Sequence, residues 1–346
     1  MDSSKQDIRA LSKDQLKQFF VDHGEKAFRA KQVYEWLWIK SVTSFEEMTN
    51  LSKSTRAMLE DNFVINAVTV KSFQKSNDRT IKSAFQLFDE HVVEGVLIPT
   101  DSRMTACISS QVGCSLTCKF CATGRLKRLR NLNADEIYDQ VVQIKNQAEK
   151  NYQKNLTNIV YMGMGEPLLN YKNVLESVEK ITSEEGLGMS PKRITISTAG
   201  IAKMIKKLGD DEVKFNLALS LHAANDKKRD YIMPINEQNS LESLKEALQY
   251  FHEKTGSRVT FEYIVFDEFN DGIQDAKELA EFCKNVPCKI NIIEYNPIDD
   301  GEFKQTSEEK LNAFTAYLES KNLIVNVRRS RGKDIDAACG QLANKH

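Results

Sequence analysis

Apolar positions repeat with two different periods along this chain, and the change of period divides it into parts. Over residues 12–22, 27–40 and 53–61 they return every three to four positions without strand-like runs between, which predicts three amphipathic helices. Residues 68–73, 81–88 and 92–98 read instead as β-runs broken at Asn77-Asp78 and Asp89-Glu90, as expected of a small antiparallel extension. From residue 104 onward, short apolar runs alternate with helical patterns. The runs fall at 104–108, 158–162, 193–197, 215–221, 259–266, 289–295 and 323–327, and the helices near 134–149, 172–183, 200–208, 240–255, 272–284 and 307–321. Asn133-Ala134-Asp135-Glu136 opens the first of these helices with a capping box, and Ile137, Val141 and Ile144 give it one apolar stripe. Such alternation predicts a parallel sheet with helices outside. Six units closed in part would make an open (β/α) barrel, and periodicity alone is equally consistent with a doubly wound sheet.

Composition changes this picture little. The 346 residues are 41% hydrophobic and 28% charged, an ordinary globular balance. With 48 Lys and Arg against 49 Asp and Glu, the net charge of −1 does not mark a polyanion binder, so any nucleic-acid site must be local. No apolar run reaches the roughly 18 to 20 residues that span a bilayer. The first residues carry no apolar signal region, so a cytoplasmic location with no membrane attachment is expected.

Cysteine spacing is far more informative. Seven cysteines stand at 107, 114, 118, 121, 283, 288 and 339, an odd number that argues against a disulfide framework. Cys114, Cys118 and Cys121 form CxxxCxxC on one short loop. A structural zinc needs four N or S ligands, usually as two separated pairs, and no second pair follows. Zinc held by Cys107 with the three loop cysteines, in a non-catalytic RNA-binding protein, is the rival reading. Three thiolates suit a cubane iron–sulfur cluster whose fourth iron stays open to a substrate or cofactor. Cys283 and Cys288 make an unusual clip between a helix pattern and a strand.

Other candidates lie where predicted strands end. Tyr161-Met162-Gly163-Met164-Gly165-Glu166-Pro167 is either a plain glycine-rich turn or a place where backbone and the Glu166 carboxylate approach an ammonium group. Ser197 and Ser220-Leu221-His222 occupy the strand ends at which barrel sites collect. A lone His222 is more often a structural hydrogen-bonder, and Asn296 before Pro297 a turn former. Cys339 sits among small residues near the end of the chain. It is either an idle thiol or, with Cys107, half of a redox or covalent pair.

The loop Cys114-Ser115-Leu116-Thr117-Cys118-Lys119-Phe120-Cys121, with an aromatic before its last cysteine, resembles the signature of radical S-adenosylmethionine (SAM) enzymes. Together with Cys107-Ile108-Ser109-Ser110-Gln111-Val112-Gly113, Met162-Gly163-Met164-Gly165-Glu166-Pro167-Leu168-Leu169-Asn170, Ser220-Leu221-His222 and Asp334-Ile335-Asp336-Ala337-Ala338-Cys339-Gly340-Gln341-Leu342, the chain is similar nearly end to end to the bacterial dual-specificity RNA methyltransferases. The helical start at residues 24–33 shares the likeness.

The resemblance implies a partial (β/α)6 radical SAM barrel over 101–330, preceded by an RNA-recognising helical domain (1–64) and the β extension (65–100), and followed by a tail (331–346) that carries a methyl-accepting cysteine. It implies a [4Fe–4S] cluster on Cys114, Cys118 and Cys121, and SAM contacts at Gly165, Glu166, Ser197, Ser220, Leu221, His222 and Asn296. Cys339 is then the methylated thiol, Cys107 the resolving thiol and Glu94 a proton acceptor. The implied reaction forms 2-methyladenosine at adenosine 2503 of 23S rRNA and adenosine 37 of tRNAs, with two SAM per turnover, a covalent protein–RNA intermediate and a Cys107–Cys339 disulfide. A reductase or flavodoxin-like electron donor is implied, and a monomer is the simpler expectation.

Relatives that share the cluster and both cysteines methylate adenine C8 instead; Val112 before Gly113-Cys114, and Arg331-Gly332-Lys333, favour C2. Three cationic runs are candidate phosphate contacts or simply solvated faces: Arg125, Lys127, Arg128 and Arg130; Lys227, Lys228 and Arg229; and Arg328, Arg329, Arg331 and Lys333. The target base would have to leave its stack to reach a barrel interior.

Overall fold

The structure, a computed structural model, describes residues 5–345, so residues 1–4 and 346 of the first and last expected segments lie outside it. The helical module begins with a two-residue strand, β1 (Gln6–Asp7), followed by α1 (Lys13–Asp22), α2 (Arg29–Trp38) and α3 (Lys53–Asn62). Strand β2 (Phe63–Val64) pairs in parallel with β1, a clasp too short to show in any apolar pattern. Ser12 and Gln15 close a capping box on α1, and Ser52 caps α3 through the Thr55 N–H. The module is bolted to its neighbour by charge. The buried Arg9 guanidinium meets Asp7, Asp135 and Asp139, and Trp38 packs edge-on against Tyr138.

Strands β3 (Thr69–Lys75), β4 (Ile81–Gln86) and β5 (Val92–Pro99) form the antiparallel extension, and β6 (Met104–Cys107) pairs antiparallel with β5. The extension is thus the edge of the main sheet. After a two-stranded ribbon, β7 (Gln111–Val112) and β8 (Arg130–Asn131), come α4 (Ala134–Tyr152), β9 (Asn158–Tyr161), α5 (Tyr171–Thr182), β10 (Ile194–Thr198), α6 (Ala202–Asp210) and β11 (Asn216–Ser220). The chain continues through α7 (Asp226–Ile232), α8 (Leu241–Thr255), β12 (Val259–Val265), α9 (Ile273–Cys283), β13 (Cys288–Glu294), α10 (Glu308–Ser320) and β14 (Val325–Arg328).

One ten-stranded sheet results, ordered β14-β13-β12-β11-β10-β9-β6-β5-β4-β3. From β6 through β14 the strands are parallel and follow chain order without reversal. A doubly wound sheet reverses its order at a switch point, so the barrel reading is the one realised. Strand β12 is buried on both faces, as a parallel strand between helices and interior must be. At the far end of the sheet from the strand C-termini, Cys283 closes α9 and Cys288 opens β13. The neighbouring Cys288 sulfur, together with burial, raises the Cys283 thiol. Among the described residues no helix is long and apolar enough to cross a membrane.

Helix α7 is absent from the periodic pattern because its seven residues are mostly charged. Its Arg229, expected in a cationic run for phosphate, is fully buried instead. The guanidinium donates to the carbonyls of Leu221 (3.0 Å), Ser220 (3.2 Å) and Ala199 and to Asn236 Oδ1 (2.6 Å), tying the ends of β10 and β11 to the α7 turn. Arg229→Met leaves these acceptors without a donor. It should cost roughly 3 kcal/mol in urea unfolding, whereas Lys227→Met, exposed on the same helix, should shift stability by less than about 0.5 kcal/mol.

Candidate active site

The C-terminal ends of the parallel strands surround a cavity of about 460 Å3. Cys107, the last residue of β6, reaches it from a register opposite Val96 and Val160. The loop beyond β7 turns back on itself: Cys114 bridges to Lys127, Cys121 N–H bonds Cys118 carbonyl (3.1 Å), and Gly124 N–H bonds Cys121 carbonyl (3.1 Å). These turns open all three cysteines onto the cavity. Phe120 lines the cavity as well, edge-on to His222 (4.7 Å) and beside Phe266, so the aromatic pins the loop to the core.

Burial pushes the Cys114 thiol up to about 11 and raises Cys118 and Cys121 as well, with the neighbouring cysteines adding repulsion at Cys118. Thiols so placed ionise when a cationic centre compensates them. Among the described residues no three of His, Cys, Asp or Glu converge closely enough to grip a single metal ion. The donor set therefore fits a cluster whose ligands sit on separate irons better than it fits one zinc.

Glycines shape the opposite wall. Gly165 has φ +96°, and a Cβ there would lie 2.5 Å from Gln111 Cβ and 2.9 Å from Gln111 N. The same Gln111 accepts the Glu166 N–H (2.8 Å). Glu166 itself is buried, and burial raises its carboxyl, which accepts N–H bonds from Ala199 (2.7 Å) and Leu168 (3.0 Å). Ser197 and Ser220 touch through their hydroxyls (3.3 Å) on the same wall.

Residues 6–65 match the model of the ribosomal RNA large subunit methyltransferase N-terminal domain, and residues 108–283 that of the radical SAM superfamily. A probable dual-specificity RNA methyltransferase RlmN from Cytophaga hutchinsonii is 68% identical over 341 residues, covering 99% of this chain and 93% of that one. The chain belongs to the RlmN family. An RlmN relative from Salinibacter ruber is 43% identical, covering 98% of this chain and 94% of that one. The crystal structure of a radical SAM methyltransferase from Sphaerobacter thermophilus has a TM-score of 0.93 at 36% identity, covering 98% of this chain and all of that one. Membership of a radical SAM family implies a [4Fe–4S] cluster and SAM.

Of the residues singled out by the resemblance, Cys107, Cys114, Cys118, Cys121, Gly165, Glu166, Ser197, Ser220, His222 and Cys339 line the same cavity. Leu221 lies behind it, fully buried. Asn296 is buried and donates to the Cys339 carbonyl (3.2 Å), leaving its own Oδ1 without a partner. Glu94 is covered by the tail, accepting the N–H groups of Ala343 (2.9 Å) and Asn344 (3.0 Å).

Sequence reasoning missed Glu262, which lines the cavity and pairs with Arg328 (3.4 Å), and Gln111, which seats Glu166. Only a polar residue inside an apolar strand could have signalled Glu262. Of the cationic runs, Arg130 is engaged by Glu136 and Asp89, and Arg329 and Lys333 by Glu294, while Lys127, Arg128 and Lys227 are exposed.

His222 has a structural side as well. Burial pushes its imidazole down to about 3, and the neutral ring accepts the Ile264 N–H at Nδ1 (3.1 Å). An unfolded histidine protonates near 6.5, so the folded state loses stability as pH falls from there toward 3. The drop in urea midpoint between about pH 7 and pH 5 should shrink in His222→Gln. Gly165→Ala should retain iron yet weaken SAM binding by roughly tenfold or more in calorimetry, because the new Cβ displaces Gln111 and with it Glu166.

Proposed function

We propose that this protein is a radical SAM RNA methyltransferase that forms 2-methyladenosine at adenosine 2503 of 23S rRNA and adenosine 37 of tRNAs. The observation that carries the reading is the opening of Cys107 and Cys339 onto the same cavity as Cys114, Cys118 and Cys121. Adenine C2 is electron-poor and offers no nucleophile for a polar methyl transfer. A cluster held by Cys114, Cys118 and Cys121 would supply one-electron chemistry on SAM instead.

The chain's own groups do the rest. Gly165, Glu166, Ser197, Ser220 and His222 shape the wall that would hold SAM, with Leu221 packed behind it, and Asn296, tied to the Cys339 carbonyl, keeps a buried acceptor free of partners. Cys339 takes a methyl group from one SAM and is the sulfur through which that carbon reaches C2, with a second SAM consumed in activating it. Glu94 accepts the C2 proton once the carbon is attached. Cys107 then attacks the Cys339 sulfur, the carbon–sulfur bond breaks with its electron pair left on the carbon, a proton from solvent completes the methyl group, and a Cys107–Cys339 disulfide remains for an external thiol to reduce.

Burial pushes the Cys107 thiol up to about 12 and raises Cys339, while the Arg328 guanidinium on the cavity wall draws both back toward the thiolate. The electron donor on this reading is a reductase or flavodoxin-like protein. The working place is the cytoplasm, and the chain acts as a monomer.

The test is an anaerobic incubation of cluster-reconstituted protein with methyl-labelled SAM, a reductant and a 23S rRNA fragment or tRNA, followed by nucleoside mass spectrometry. Label is expected in 2-methyladenosine; label in 8-methyladenosine would overturn the position of attack. Cys107→Ala should accumulate a covalent RNA adduct, and Cys339→Ala should bind SAM and give neither adduct nor product. Full turnover by Cys339→Ala would sink the proposal.

A further inference from the structure

Lys82 on β4 forms a buried ion pair with Glu94 on β5, and Lys82 itself has no part in the function proposed above. Their side chains are 6% and 1% exposed, with Nζ 3.6 Å from Oε1. A buried pair is worth its desolvation only if its remaining polar positions are filled. Here the tail fills them, at two points on either side of Cys339. Lys82 Nζ reaches the Asp336 carbonyl (3.5 Å), and Glu94 Oε2 accepts from Ala343 and Asn344 (2.9 and 3.0 Å).

The backbone reverses at both points, with φ +52° at Asp336 and +54° at Asn344, and Asn344 Nδ2 adds a bond to the Val92 carbonyl (2.9 Å). Between them the chain forms a loop, with Ala337, Ala338 and Leu342 buried and Cys339 open to the cavity. We propose that Lys82 and Glu94 are a clamp that shapes residues 336–344 into the loop presenting Cys339. Lys82 is thereby a positioning residue for the methyl-accepting thiol, an assignment that rests on the role proposed above for Cys339. While the clamp is closed, Glu94 Oε2 is bound to the tail, so loosening the clamp is what frees that carboxylate.

The test uses the full chain with its cluster reconstituted, read by hydrogen exchange of the C-terminal peptide and by transfer of labelled methyl from SAM to Cys339 without RNA. Lys82→Met should speed exchange at residues 343 and 344 by roughly tenfold or more and slow Cys339 methylation by a similar factor. Barrel peptides should stay protected, and Lys82→Arg should restore both readouts. Unchanged protection at 343 and 344 overturns the clamp, as does lost protection with methylation at the wild-type rate.

Should Lys82→Met disturb the barrel peptides, the Lys82→Met/Glu94→Leu double variant carries neither an unpaired buried charge nor an acceptor for the tail and must show the same loosening; a protected tail in it overturns the proposal. If the wild-type protein transfers no methyl group to Cys339, the functional reading fails, and the exchange measurement still decides the clamp.

Discussion

A sheet that curls around a cavity has two edges, and this structure depends on what joins them. Strand β14 is one edge and β3 the other. The segment leaving β14 crosses to the turn between β3 and β4: Gly332 N–H donates to Asp78 (2.8 Å), and the Asp334 carboxylate accepts from Ser76 Oγ and from Asn77 N–H (3.0 Å). Burial opposes ionisation of Asp78, but N–H donors from Thr80 and Gly332 hold its carboxyl down to about 2, so the tie is a charge-assisted hydrogen bond at any ordinary pH. One short tail therefore ties β14 to the β3–β4 turn while both edge strands stay largely exposed, and its residues 337–340 and 342 complete the wall of the cavity.

The same tail approaches the cysteine loop at backbone range. Ala122 N–H bonds the Gly340 carbonyl (2.7 Å), and Thr123 Oγ1 bonds that of Leu342 (2.6 Å). Gly340 has φ +85°, and a Cβ there would stand 3.0 Å from the Phe120 carbonyl. Small residues flank Cys339 because two backbones pass one another there. The sulfur is thus located relative to Cys121 by main-chain bonds, which hold position better than side-chain contacts on a free end.

Much of this was legible in the sequence, for reasons that differ by element. The alternation after residue 104 survives as strands and helices because parallel strands buried on both faces must be nearly continuous apolar runs, as β12 is apart from Thr260 and Glu262. The cysteine loop was legible because the donor spacing is itself the chemistry. What could not be read depends on long-range partners. The β1–β2 clasp joins residues 6–7 to 63–64, Arg229 looked like a surface cation until carbonyls from two strand ends surrounded it, and Lys82 stood in an apolar strand with no local sign of Glu94 or the tail. The β extension's place on the main sheet follows from the β5–β6 pairing, which turn residues alone do not specify.

The closing tail also has a consequence in time. Cys114, Cys118 and Cys121 precede most of the barrel strands in the chain, while Cys339 and its ties to Ser76, Asp78 and Glu94 follow β14. Domains emerge from the ribosome N-terminal end first. A growing chain therefore holds its cysteine loop well before Cys339, and the cavity keeps a gap in its wall until translation delivers the last loop.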